Sequence, residues 1–137
     1  MENCIFCKIA KGEIPSTKVF ENENVFVFLD INPLTEGHCL VIPKQHFENI
    51  FDIEESILKE IIKTAKDLAI RMKINLGVTG VQLVNASGKD AEQSVFHFHL
   101  HVIPRYANDN LEMNKWWQTK AGNPSQEDLK KVLEKLQ

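Results

Sequence analysis

Residues 96–104 read Phe96-His97-Phe98-His99-Leu100-His101-Val102-Ile103-Pro104, a strict alternation of imidazoles with apolar side chains up to Val102. Strand side chains alternate faces. A strand over Phe96–Pro104 therefore sets His97, His99 and His101 on one surface, about 6.5–7 Å apart, and turns Phe98, Leu100 and Val102 into an apolar layer. Such a half-buried strand needs neighbours, and the chain offers four. Lys18–Glu21 and Asn24–Asp30 are β-rich and separated by the polar Asn22-Glu23-Asn24, a hairpin pattern. His38–Pro43 is a short apolar run bounded by Gly37 and Pro43, and Gly80–Asn85 alternates as a further strand. The cover for the layer is a helix, because Ile57, Leu58, Ile61, Ile62, Ala65, Leu68, Ala69 and Met72 recur at helical spacing. Asp52 with Glu55 predicts its capped start and Gly77 its stop. Ser125 with Asp128 predicts a last helix carrying Leu129, Val132, Leu133 and Leu136 on one face. Five strands in mostly hairpin order under one long helix predict an antiparallel sheet of the α+β class with short terminal helices.

The chain has 137 residues, 43% hydrophobic and 26% charged, enough for one core and too little for two ordinary domains. With no repeat or linker-like composition, residues 1–137 are expected to form one domain. A formal net charge of −3 provides no positive field to attract nucleic acid or anionic lipid, so neither partner is expected. No stretch approaches the length of a membrane span, and Met1–Pro15 lacks a basic leader with a long apolar segment. A soluble, cytoplasmic protein is the expectation. Three cysteines without a secretion signal argue for a thiol or metal role of Cys4 and Cys7 over a disulfide framework.

The chemistry of the histidine run has two functional readings beside a merely solvated polar face. His-x-His on a strand can present ring nitrogens to one ion. Alternatively, imidazole titrates near neutrality and can act as nucleophile or acid and base, provided the reacting ring stays free of metal and its far nitrogen is held by a hydrogen bond. The only other histidines, His38 and His46, flank the third strand.

His97–Ile103 resembles the signature of the histidine-triad nucleotide-binding superfamily. The resemblance extends over residues 4–105, through Ile5–Ile9, Gly12–Pro15, Phe28–Pro33, Gly37–His46 and Gln93–Val95; residues 106–137 form an extension beyond it. It implies a nucleotide phosphoramidase or phosphoanhydride hydrolase, acting on a purine nucleoside phosphoramidate or dinucleoside polyphosphate. In that reading His99 attacks the α-phosphorus and forms a nucleotidyl-histidine that water then cleaves. Catalysis would be shared with His101 and Ser94. His38, Gln93 and Asn85 would bind or orient the phosphate, Asp30 would accept from the ribose hydroxyls, and Phe6, Ile9, Phe28 and Ile31 would make the slot for the base.

Some members of bacterial type carry a zinc site whose ligands match Cys4, Cys7, His46 and His97. Four such ligands close a tetrahedron, so that Zn2+ would be structural, stapling the N-terminal segment to the sheet. His97 would then serve the metal and leave His99 and His101 for chemistry, while Cys39, inside an apolar strand, reads as a small buried hydrophobe. The family further implies a homodimer joined through sheet edges, and the adjacent Trp116-Trp117 suggest an interface. Glu92 departs from the glycine usual at its position. Two other readings remain open in sequence: a purine-nucleotide-binding regulatory protein with little turnover, and a zinc-dependent hydrolase using all three histidines as ligands.

Overall fold

The computed structural model describes residues 3–137. The elements in chain order are α1 (Ile5–Ala10), β1 (Lys18–Glu21), β2 (Val25–Leu29), β3 (Cys39–Pro43), α2 (Glu55–Leu76), β4 (Gly80–Val84), a short 3-10 turn (Lys89–Ala91), β5 (Leu100–Arg105), α3 (Met113–Lys120) and α4 (Gln126–Leu136). All strand pairings are antiparallel, in the order β1-β2-β3-β5-β4. The expected α+β architecture is the one observed.

Two apolar layers divide the sheet. Val25, Val27, Cys39, Val41, Leu100 and Val102 pack with Phe98 beneath α2, whose Ile57, Ile61, Ala65, Leu68 and Met72 recur every three or four residues. The intervening side chains, Phe26, Phe28, Leu40 and Ile42, face the other way and meet Phe6 and Ile9 of α1. The second layer, thinner and built on a helix of six residues, is where the histidines lie. Ile61 is 0% exposed and Ile62, its neighbour on α2, is 49% exposed. Ile61→Ala is expected to destabilise by about 2–5 kcal/mol and Ile62→Ala by within about 0.5 kcal/mol, compared by urea denaturation.

Two boundaries differ from expectation by more than one residue. The helix begins at Glu55 with Glu54 as N-cap and no side-chain cap, because Asp52 accepts instead from the main-chain N–H groups of Glu48 (2.9 Å) and Asn49 (2.8 Å) and folds the preceding loop. Gly77 does end the helix, at φ 70°. More consequentially, β5 starts at Leu100 rather than Phe96. The Phe98 N–H donates to the Phe47 carbonyl at 2.6 Å and the chain bends through Val95–His97, so His97 and His99 precede the strand and only His101 belongs to it.

The sheet ends in a polar knot. The Arg105 guanidinium donates to both Asp109 carboxylate oxygens (2.7 and 3.0 Å) and to the Leu111 carbonyl, while Asp109 also accepts from the Tyr106 and Leu111 main chain. Beyond it, α3 and α4 lie on the surface with no buried residue, although α4 has its expected cap, Ser125 Oγ accepting from the Asp128 N–H at 3.1 Å. No helix among the described residues is long and apolar enough to cross a membrane.

Candidate active site and metal centre

The run 97–101 distributes its imidazoles among three environments. His97 turns to the N-terminal segment. Cys4 caps α1 through Sγ, which accepts from the Cys7 N–H at 3.3 Å, and this turn brings both sulfurs to one side. Cys4 Sγ and Cys7 Sγ lie 3.2 and 3.5 Å from His97 Nδ1, and Cys7 Sγ lies 3.4 Å from His46 Nδ1. All four donor atoms fall within 4.8 Å of one another. A tetrahedral ion with bonds of about 2.0–2.3 Å would space its nitrogen and sulfur ligands about 3.5 Å apart, so these residues fit zinc. His97 is also in the right tautomer. Its Nε2 lies 2.8 Å from the Pro43 carbonyl, which can only accept, so the proton is on Nε2 and the lone pair on Nδ1 faces the sulfurs. Burial pushes its pKa down to about 4, which keeps the ring neutral. Burial and the adjacent Cys4 push the Cys7 thiol up, whereas a dication would favour its thiolate.

His99 is 3% exposed and belongs to no metal cluster among the described residues. Its Nδ1 donates to the His97 carbonyl at 2.8 Å, which leaves the lone pair on Nε2. Nε2 has no hydrogen-bond partner among the described residues, and no fully buried side-chain nitrogen or oxygen there lacks one, so Nε2 keeps some contact with solvent. Phe6 stands edge-on to it with ring centres 5.2 Å apart, and His101 flanks it at 5.2 Å. Burial lowers the His99 pKa, favouring the neutral, nucleophilic form.

His101 pairs with the third strand. Its Nδ1 is 2.9 Å from His38 Nε2, and Asp30 Oδ2 stands 3.6 Å from His38 Nε2 and 4.0 Å from His101 Nδ1. Burial lowers both pKa values, that of His101 to about 4. The three histidines of the run therefore do not converge on one ion, which removes the arrangement that a three-histidine zinc hydrolase requires.

The loop between β4 and β5 closes the other side. Asn85 Nδ2 donates to the His99 carbonyl at 2.9 Å, and Asn85 Oδ1 accepts from Ser87 Oγ, which in turn accepts from the Ile50 N–H. Gln93, expected at the phosphate, has both amide protons taken by the carbonyls of Glu48 (2.6 Å) and Val95 (3.0 Å), and its oxygen accepts from the Gly88 N–H at 2.8 Å. It bolts three segments together. Ser94 is exposed, and its hydroxyl makes no hydrogen bond among the described residues, so it is free to donate. Glu92 sits at φ 65°, in the left-handed region that glycine adopts without strain. Phe6, Ile9 and Phe28 are buried in the thinner layer, whereas Ile31 is 89% exposed on the turn after Asp30. Cys39 lies in the α2 layer, its thiol pushed up to about 11 by burial.

Two polar groups of the site, the Pro43 carbonyl and the Leu34 N–H, are main-chain groups with no sequence signal of their own, and a third, the Thr35 hydroxyl, was missed. A threonine three residues before His38 was the one visible clue.

The HIT domain profile matches residues 11–108. Protein hit of Bacillus subtilis is 42% identical over 131 residues, which cover 96% of this chain and 90% of that protein. Adenosine 5'-monophosphoramidase HNT1 of Saccharomyces cerevisiae is 44% identical over 102 residues, 74% of this chain and 62% of that protein. Among solved structures, SMU.412c of Streptococcus mutans superposes with a TM-score of 0.90 at 34% identity, covering 99% of this chain and 84% of that one. A zinc-bound histidine triad family protein of Mycobacterium smegmatis gives 0.78 at 34% identity, covering 93% and 87%. A profile that spans most of the chain, and full-length likeness in both sequence and fold, agree with the histidine geometry: this protein belongs to the HIT domain family.

Proposed function

We propose that the protein hydrolyses a purine nucleoside phosphoramidate, or a related dinucleoside polyphosphate, through a covalent nucleotidyl intermediate on His99. The single observation carrying this reading is the polarity of that ring: Nδ1–H is tied to a carbonyl and the bare Nε2 is unpartnered and not fully buried. The similar yeast protein, an adenosine 5'-monophosphoramidase, supports the substrate class.

His99 Nε2 donates its lone pair to the α-phosphorus. The bond from phosphorus to the leaving nitrogen or oxygen breaks, its electrons stay with the leaving atom, and that atom takes up a proton from solvent. Water then adds to phosphorus and gives up a proton. The P–Nε2 bond breaks, the nucleoside monophosphate departs, and the lone pair returns to Nε2. Charge on the phosphoryl oxygens is met by the Ser94 hydroxyl and His101, while Asp30 accepts from the ribose. The apolar floor of Phe6, Ile9 and Phe28, with Ile31 at its lip, receives the base. Asn85 and Gln93 act on this reaction by holding the loop and the His99 main chain.

Cys4, Cys7, His46 and His97 would hold structural zinc in this reading, and the similar Mycobacterium smegmatis protein is zinc-bound. With all four positions protein-supplied, the ion fixes the fold of the N-terminal segment. The protein works as a homodimer: β1 and β4 are free sheet edges, and Trp116, Trp117, Leu129, Val132, Leu133 and Leu136 are exposed on α3 and α4. Three unpaired thiols suit a reducing compartment, and we place the protein in the cytoplasm.

Acid-quenched mass spectrometry tests the chemistry. A nucleotidyl adduct on His99 within the first turnover is expected. Cleavage without an adduct moves the reaction to direct attack by water, and neither cleavage nor adduct leaves a nucleotide-binding protein.

A further inference from the structure

The imidazole pair beside the nucleophile takes its proton arrangement from the main chain. The Leu34 N–H lies 3.0 Å from His38 Nδ1. An N–H can only donate, so this nitrogen carries the lone pair and the single proton of neutral His38 is on Nε2. That proton points at His101 Nδ1, 2.9 Å away. His101 Nδ1 is therefore the acceptor, and its own proton is on Nε2, the nitrogen facing away from His38. Asp30 Oδ2, 3.6 and 4.0 Å from the pair, stands behind it as a charge and takes no proton from it. Burial favours the neutral form of both rings, so one proton on each is the state that matters.

The loop carrying the Leu34 N–H is pinned at several points. Thr35 is buried, its hydroxyl donates to the Pro104 carbonyl of β5 at 2.6 Å, and its carbonyl accepts from the His38 N–H at 3.2 Å. The Tyr106 hydroxyl donates to the Glu36 carbonyl at 2.7 Å. Gly37 at φ 92° closes the loop where a Cβ would come within 2.8 Å of Leu76 Cδ1.

This polarity is the reverse of that in the cysteine cluster. Asp30, His38 and His101 also gather three donor atoms within 4.8 Å, a set of two imidazoles and a carboxylate that resembles a metal site. His97, however, backs onto a carbonyl and offers a lone pair to its cluster, whereas His38 backs onto an N–H and offers a proton. For His38 Nε2 to bind an ion, its proton must move to Nδ1 and meet the Leu34 N–H head-on.

We propose that the Leu34 main-chain N–H, positioned by Thr35, fixes His101 as a permanent N–H donor toward the reacting phosphate and keeps His38 and His101, with Asp30 behind them, a one-way hydrogen-bonded pair rather than a metal site. The direction of donation toward phosphate rests on the function proposed above; the tautomers do not. Thr35 is a positioning residue, acting through the amide beside it.

Long-range 1H–15N correlation spectra of the histidine-labelled, metal-loaded protein at mildly alkaline pH read the tautomers directly. Protonated Nε2 and bare Nδ1 on both His38 and His101 are expected, and a proton on Nδ1 of either ring overturns the proposal. Thr35→Val should give mixed His38 tautomers and lower kcat by about tenfold with KM within about twofold, and Thr35→Ser should restore both. An unchanged tautomer pattern in Thr35→Val overturns the role given to Thr35, whatever its activity. Wild-type tautomers as described in a protein that cleaves no nucleotide would uphold the fixed pair and remove the proposed function. Reversed tautomers in an active enzyme would remove the fixed pair alone.

Discussion

Replacing His99 with asparagine is expected to lower turnover of a nucleoside phosphoramidate by on the order of 10⁴-fold or more, about 5.5 kcal/mol in the barrier, while nucleotide affinity stays within a few-fold. The size follows from what is lost. His99 Nε2 carries a lone pair that no protein donor among the described residues takes up, and an amide offers no comparable nucleophile at that point. The fold should tolerate the change, because the asparagine amide can still donate to the His97 carbonyl, which accepts His99 Nδ1–H at 2.8 Å. Affinity should survive because the apolar floor and Asp30 are untouched. His101→Asn, by contrast, leaves the nucleophile in place and removes a donor, so a loss of about 10²-fold is expected. Single-turnover rates with isothermal titration of a nucleoside monophosphate separate the two effects. His99→Asn retaining turnover within tenfold of wild type would defeat the covalent reading.

The contrast between His99 and His97 shows how far the sequence could be read. Alternation from Phe98 to Val102 correctly turned Phe98, Leu100 and Val102 to the α2 layer, because apolar side chains must bury and that constraint is local. Alternation also put all three imidazoles in one strand, and there the local pattern was insufficient. The Phe98 N–H pairs with the Phe47 carbonyl, a loop group remote in sequence, and that one long-range bond delays the strand to Leu100 and sends His97 toward the cysteines. Helix α2 was legible from its stripe, yet its start was misread at Asp52. The carboxylate had a nearer use in the turn at Glu48–Asn49, and such competition between adjacent donors leaves no trace in composition. Asn85 and Gln93 were singled out as polar residues near the phosphate. Their amides face the protein instead, holding the His99 carbonyl and the loops around it. The deciding partners are main-chain groups, which every residue carries and no sequence pattern marks.

Losing the metal should therefore be felt at the nucleophile, because the same residues serve both places. The ring of His97 belongs to the cysteine cluster and its carbonyl holds His99 Nδ1. Phe6 lies between Cys4 and Cys7 in the chain, and its ring stands edge-on to both His97 (5.9 Å) and His99 (5.2 Å). A loosened N-terminal turn thus frees the carbonyl and the aromatic wall together. One zinc per chain is expected in the purified protein, and none in Cys4→Ser/Cys7→Ser. Ligand linkage at about a thousandfold excess over the dissociation constant supplies about 4 kcal/mol. The double variant is accordingly expected to melt roughly 10 °C or more below the parent. Its kcat should fall about tenfold through displacement of the attacking nitrogen, with far less effect on nucleotide affinity. Cys39→Ser separates this from a general thiol effect, since Cys39 lies in the α2 layer and reaches neither cluster. Differential scanning calorimetry, metal analysis and single-turnover kinetics on the three proteins decide the matter. A double variant that lacks zinc yet melts and turns over like the parent would show that the four residues stabilise nothing the reaction uses.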